Sequence, residues 1–183
     1  TFMRPITKWA YSIPNVHKVQ ESVRRAFRVA LTEPQGPTHI EAASEVLLEQ
    51  TAVEAIAPAA YRNTVLPSCS SEQLYQVCAL LAAAERPVFV VGRGVISERA
   101  TEAMAALAER TGIPVGALQY SPDAFPSAHA LALGPLGRSG FGSANKIVPK
   151  ADLIIAIGAH IDVFSTMHKY GIFSREAKLV HHS

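Results

Sequence analysis

Two glycine turns carry the chemistry that can be read from this chain. Gly92-Arg93-Gly94 follows the apolar run Pro87 to Val91, and Gly158 follows Leu153-Ile154-Ile155-Ala156-Ile157. A strand that ends in a glycine turn and enters a helix collects backbone N–H groups. Such a turn favours an anion such as a pyrophosphate. Glycine suits the position because it lets backbone approach a phosphate closely. The dinucleotide fingerprint is nevertheless incomplete. Ser97 stands where its third glycine would fall, and Leu118-Gln119 occupy the place about 20 residues on where an acidic residue would meet a ribose. Use of NAD is therefore not expected.

Other chemistry is weakly represented. His17, His39, His129, His160, His168, His181 and His182 are scattered, with no H-x-x-x-H or HExxH spacing, so no zinc site is expected. His181 and His182 alternate across a strand and do not chelate through both rings. His129, within DAFPSAH, is expected to anchor its loop by bonding backbone. Ser121, Ser139 and Ser143 lack the G-x-S-x-G elbow of a serine hydrolase. The Arg24-Arg25-Arg28 face reads as a solvated helix face or a domain contact, before a binding patch.

These turns need a particular framework. Residues 87–115 read as strand, turn, helix and strand, with Ser97 opening the helix, Gly112 closing it and Ile113-Pro114-Val115 starting the next strand. Residues 119–140 read as a loop rich in glycine, proline and serine, and 141–150 as a short helix. The run 153–157 reads as a strand buried on both faces, and 177–181 as another strand. Upstream, 15–32 have helical spacing and 38–41 form a short strand, with Trp9 and Phe27 packing core. Residues 46–71 read as a linker. Ser71 is expected to cap a helix whose apolar face is Leu74, Val77, Cys78 and Leu81. The sum is an α/β fold with a doubly wound, mostly parallel, Rossmann-like sheet, preceded by the tail of a second α/β domain. Both glycine turns then lie beyond carboxyl ends of strands, where open α/β sheets bind ligands.

Composition agrees with a packed domain. Of 183 residues 49% are hydrophobic and 17% charged, and the net charge is +2. That charge does not argue for nucleic acid, and no basic cluster interleaved with aromatics is present. Cys69 and Cys78 lack metal spacing and read as buried or idle thiols of a cytoplasmic protein. No stretch reaches the roughly 20 apolar residues of a membrane span. The opening TFMRPITKWA and the ending KLVHHS read as those of a fragment, so the chain is expected to oligomerise or aggregate in isolation.

The motifs in order resemble the thiamine-diphosphate enzymes of the acetolactate synthase, pyruvate oxidase and sulfoacetaldehyde acetyltransferase type. ITKWAYSI, HKVQESVRRAFRVAL and GPTHIEAASEV resemble the end of their pyrimidine-binding domain. ERPVFVVGRG, ALAERTGIPV, DAFPSAH, GPLGRSG, ADLIIAIGA and AKLVHHS resemble their central domain. DAFP with His129, GPLG, FST and YGI are most similar to the sulfoacetaldehyde acetyltransferase branch. The resemblance implies residues 1–47 as the tail of the pyrimidine-binding domain, 48–72 as linker and 73–183 as a truncated central domain. It implies a parent that joins or transfers acyl units on small 2-oxo acids or aldehydes, uses thiamine diphosphate and magnesium, and forms a homo-oligomer. Nucleic acid and membrane are not implied. The family's activating glutamate would lie upstream and its GDG…N motif downstream, so the chain alone is expected to be inactive.

In flavin-bearing relatives the central domain holds the ADP part of FAD. The matching positions are Gly92, Arg93, Gly94, Leu118, Gln119, Gly158, His160 and Asp162. Several departures argue against flavin and leave ADP or an empty site. Pro34-Gln35 stand where those enzymes carry arginine, and His160 replaces another arginine, although a histidine is mostly uncharged at neutral pH. Ala43, Glu45 and Ser183 also depart from the family pattern. A stand-alone nucleotide-binding or assembly module without catalysis is the alternative reading.

Overall fold

The run Pro87–Val91 sends its side chains alternately into two dry layers. Phe89 and Val91 enter one core with Val115, Ala117, Leu153 and Ile155. Val88 and Val90 enter another with Leu118, Leu136, Ile154 and Ala156. A strand buried on both faces belongs inside a sheet covered on both sides. The computed structural model has this arrangement; it describes residues 2–32, 34–52, 54, 56–58, 68–140, 142–166 and 172–182. The chain divides into two compact units, Thr1–Ser68 and Cys69–Ser183.

In the first unit, β1 (Trp9–Ile13) pairs in parallel with β2 (Thr38–Ala42), and helix α1 (Val19–Leu31) connects them. Helix α2 (Ser44–Leu48) follows. Ser22 and Ala26 form the buried stripe of α1. Phe27 is one residue further round the helix and is 58% exposed, so the expectation that it packs core is corrected. Trp9 is only half-buried. Its ring stacks on Tyr11 at 5.2 Å and lies under the Arg25 guanidinium at 5.0 Å. Arg25 is thus part of a cation–π contact rather than simply solvated. Part of the expected linker, including Pro67, lies outside the described residues, as do His168, Tyr170, Gly171 and Ser183.

The second unit starts with α3 (Ser71–Ala83) and continues through β3 (Pro87–Val91), α4 (Arg93–Ser97), α5 (Thr101–Thr111), β4 (Val115–Leu118), β5 (Ala132–Leu136), α6 (Ala144–Ile147), β6 (Leu153–Ile157) and β7 (Lys178–His182). The five strands lie in the order β5-β4-β3-β6-β7, and every pairing is parallel. Residues of α3, α4 and α5 cover one face, and Ala144 of α6 with Val148 covers the other. The chain leaves β3 in one direction, toward β4, and returns on its other side at β6. The topological switch point therefore falls between β3 and β6.

Local chemistry explains where the elements differ from expectation. The cap of α3 is Ser70, one residue before Ser71. Its Oγ accepts from the Gln73 N–H at 3.2 Å while Gln73 Oε1 accepts from the Ser70 N–H at 2.9 Å. The packed face of α3 is Val77, Leu80, Leu81 and Ala84. Leu74 and Cys78 are exposed, and both cysteines are free and exposed rather than buried. Ser97 does not open a helix. It ends α4, and its hydroxyl donates back to the Arg93 carbonyl at 3.2 Å. Arg99, at φ +54°, turns the chain before α5 begins. The expected 119–140 loop contains β5, whose Gly134 and Pro135 read as loop signals. Proline is tolerated there because β5 is an edge strand.

Asp152 ties the amino ends of the central strands. Its carboxylate accepts from the N–H groups of Glu85 at 2.8 Å and Arg86 at 2.9 Å, and its carbonyl accepts from the Lys178 N–H at 2.9 Å. The Glu85 N–H holds its carboxyl below the usual carboxylate range, with the Arg86 N–H adding to the effect.

Gly112 closes α5 as expected, at φ +69°, with its N–H on the Ala108 carbonyl at 2.8 Å. A Cβ there would meet nothing within 4 Å. Gly112→Ala is therefore a test of backbone strain alone. It is expected to lower stability of this unit by about 1–2 kcal/mol in urea denaturation.

Candidate ligand-binding edge of the parallel sheet

The switch point brings together the turns that follow β3 and β6. The Gly92 N–H donates to the Ile157 carbonyl at 3.1 Å, and the Gly94 N–H donates to the Gly158 carbonyl at 2.8 Å. Gly158 has φ +56°. A Cβ on Gly92 would lie 2.5 Å from the Gly158 oxygen, one on Gly94 2.6 Å from the Gly158 Cα, and one on Gly158 2.6 Å from the Val95 nitrogen. The close approach that these glycines permit is thus between two stretches of the chain's own backbone. β7 fixes the same turn from the other side. The Gly158 N–H donates to the His182 carbonyl at 2.7 Å, and the His181 Nε2–H donates to the Ala159 carbonyl at 2.7 Å.

The remaining sequence-predicted positions fall on the same edge in different states. The Leu118 side chain is 4% exposed and belongs to the core, and its carbonyl accepts from the Ser121 N–H at 2.8 Å. Gln119 is committed: its Oε1 accepts from the Ser139 N–H at 2.7 Å. Asp162 Oδ1 accepts from both the N–H and the hydroxyl of Ser165 at 2.7 Å. Burial pushes the Asp162 carboxyl up. The Ser165 and Phe164 N–H groups and the Ser165 hydroxyl outweigh that and hold it below the usual range. Arg93 and His160 are exposed. With the Gly92 and Gly94 N–H groups occupied, Arg93 and His160 present polar side chains to solvent beside the paired turns.

Sequence reasoning missed the residue that organises the neighbouring loop. Asn145, on α6, holds the turn after β5 by three hydrogen bonds. Its Oδ1 accepts from the Gly137 N–H at 3.0 Å, and its Nδ2 donates to the Gly137 carbonyl at 3.0 Å and the Gly140 carbonyl at 2.9 Å. An asparagine two positions after Ser143 carries no local signal of this role, because its partners are five to eight residues upstream. His129 acts as expected. Its Nδ1 accepts from the Leu131 N–H at 3.1 Å, its Nε2 lies 3.2 Å from Glu109 Oε1, and its ring meets Phe125 edge-on. Among the described residues no three His, Cys, Asp or Glu side chains gather as a metal site. None of the described helices is long and apolar enough to cross a membrane.

An open parallel sheet covered on both faces, with paired glycine turns at its switch point, defines a Rossmann-like domain. Residues 74–183 match the family described as thiamine pyrophosphate enzyme, central domain, and the chain belongs to that family. Acetolactate synthase isozyme 1 large subunit of Escherichia coli is 35% identical over 179 residues, which cover 97% of this chain and 31% of that protein. Sulfoacetaldehyde acetyltransferase of Roseovarius nubinhibens is 40% identical over 116 residues, covering 62% of this chain and 19% of that protein. The crystal structure of benzoylformate decarboxylase from Polynucleobacter necessarius superposes with TM-score 0.72 at 26% identity, over 94% of this chain and 32% of that one. The chain thus spans about a third or less of each of these three proteins.

Two outcomes test the edge. Gly158→Ala combines a strained φ with a backbone collision, and its expected cost is about 3 kcal/mol or more, well above that of Gly112→Ala. Equal costs in parallel denaturation curves would contradict the clasp. Asp162 contributes stability that is present above its unfolded value near 3.8 and lost as pH falls through its lower folded value. The carboxyl carbon of Asp162 is expected to titrate with a midpoint below 3.8 by NMR, and a midpoint above 3.8 would show that burial dominates.

Proposed function

We propose that this chain is the middle part of a thiamine-diphosphate-dependent enzyme that joins or transfers acyl units on small 2-oxo acids or aldehydes. The observation that carries the proposal is the 35% identity to an acetolactate synthase large subunit along 97% of the chain. That alignment runs through both structural units and is not confined to the sheet. Thiamine diphosphate, when bound, would supply the ylid chemistry of the reaction. The described residues offer no cluster of carboxylates for magnesium. In this reading thiamine diphosphate and magnesium are held by parts of the protein outside this chain, which acts as scaffold.

The first unit is, in the same reading, the tail of the pyrimidine-binding domain. Its two-stranded sheet leaves an apolar groove lined by Val16, Val19, Val23, Val46, Leu47 and Ile56, as suits a surface that further elements cover. Exposed Phe27, Leu31, Leu74 and Tyr75 favour association of the protein into a homo-oligomer. The free thiols of Cys69 and Cys78 fit a reducing, cytoplasmic setting. The carboxyl edge of the second unit is the place for a nucleotide in this reading. The occupied N–H groups of Gly92 and Gly94 favour ADP-like weak binding or none over tight FAD binding.

The experiment compares the full-length protein with the 183-residue chain. Full-length protein with thiamine diphosphate and magnesium is expected to consume pyruvate or an aldehyde and to release a coupled product. The chain alone is expected to do neither. Micromolar binding of thiamine diphosphate to the chain alone, measured by calorimetry, would overturn the assignment of a scaffold role.

A further inference from the structure

The turn Gly137–Gly140 is held more thoroughly than a surface turn requires. The Gly137 N–H donates to Asn145 Oδ1, the Arg138 N–H to the Phe164 carbonyl at 3.0 Å, the Ser139 N–H to Gln119 Oε1, and the Gly140 N–H to the Gly137 carbonyl at 2.9 Å. Two carbonyls of the turn accept from Asn145 Nδ2. Gly137, at φ +121°, has room for no Cβ without crowding Gln119 Oε1 and the Phe164 carbonyl, each 3.0 Å away. Three elements thus fix one short turn: the end of β4, helix α6 and the loop after β6. All of these anchors act on backbone. The side chains of Arg138 and Ser139 are left exposed, and the Arg138 guanidinium has no hydrogen-bond or ion-pair partner among the described residues.

A guanidinium on a rigid support is suited to recognition. Its planar fork matches carboxylate, sulfonate or phosphate oxygens in pairs, and fixing its backbone in advance removes part of the ordering cost of binding. Its position agrees with that use, since the turn lies at the carboxyl end of β5 beside the carboxyl end of β4. The anchors also frame an apolar flank. Phe164, whose carbonyl takes the Arg138 N–H, meets Tyr120 edge-on at 6.2 Å, and both rings are exposed.

We propose that Arg138, presented by the Asn145-stapled turn after β5, reads the anionic group of a small organic carboxylate, sulfonate or phosphate. Its place in a reaction rests on the enzyme reading above, while its existence as a binding site rests on this chain alone. The test uses the full 183-residue chain, with methanesulfonate, pyruvate and inorganic phosphate as probes at constant ionic strength, followed by NMR. Saturable shifts are expected at Arg138 Nε–H and the Ser139 N–H. Binding should weaken at least about tenfold in Arg138→Gln and less in Arg138→Lys, which keeps the charge but not the fork. Arg110→Gln, on the surface of α5, should bind as the parent chain does. Phosphate binding as well as the organic probes assigns a general anion site, whereas preference for the organic probes assigns a role to the aromatic flank. Shifts that never saturate, or equal affinity in Arg138→Gln, would overturn the proposal. Arg138-dependent binding by the chain, with a full-length protein that turns over no 2-oxo acid or aldehyde, would leave the site standing and remove the enzyme reading. Turnover by a full-length protein whose KM is unmoved by Arg138→Gln would leave the enzyme reading standing and remove the site's place in that reaction.

Discussion

Backbone resting directly on backbone, where the turn after β3 meets the turn after β6, is the contact on which the second unit depends. The crossing places Gly94 against the Gly158 Cα and Gly92 against the Gly158 oxygen, closer than any side chain permits. It fixes the spacing of the two strands at the point where the winding of the sheet reverses. The apolar runs on both strands then align row against row, Val88 with Ile154 and Phe89 with Ile155. At the opposite end of the same strands, the Asp152 carboxylate receives two N–H groups from the residues that lead into β3. The central pair is therefore pinned at both ends, and β7 is attached at both as well, through Lys178 and through His181 and His182.

This arrangement changes the meaning of the glycines. From sequence, Gly92, Gly94 and Gly158 suggest room for a phosphate. In the fold that room is filled by the chain itself. The two explanations share one physical requirement, the absence of a Cβ, and so sequence cannot separate them. The same holds for Asp162, which can serve a ribose or a turn: the structure shows it holding Ser165.

What was legible followed from short-range pattern. The unbroken apolar runs 87–91 and 153–157 mark strands with two dry faces, and Gly112 marks a helix end, because each is a local demand of the backbone. His129 was legible because a histidine inside a proline-bounded loop has few partners other than backbone. What was not legible depends on partners distant in sequence. β5 is a strand only because β4 pairs with it, despite Gly134 and Pro135. The break between α4 and α5 arises at Arg99, whose φ of +54° is not announced by its residue type. Phe27 was misplaced by one step of the helix, since spacing alone does not say which of two adjacent apolar residues faces inward. Asn145 left no trace at all, as nothing marks an asparagine whose three partners lie in a preceding turn.

The way Asn145 and Gln119 grip the turn after β5 has a further consequence for how proteins built on this sheet diversify. Both side chains hold main-chain atoms, and the identity of the residues at positions 138 and 139 does not enter those bonds. Those two positions are consequently free to change without disturbing the frame. The turn behaves as a socket that accepts interchangeable heads. A lineage that keeps the two gripping side chains and the glycines can alter what the edge of its sheet meets by exchanging two residues, with little effect on folding.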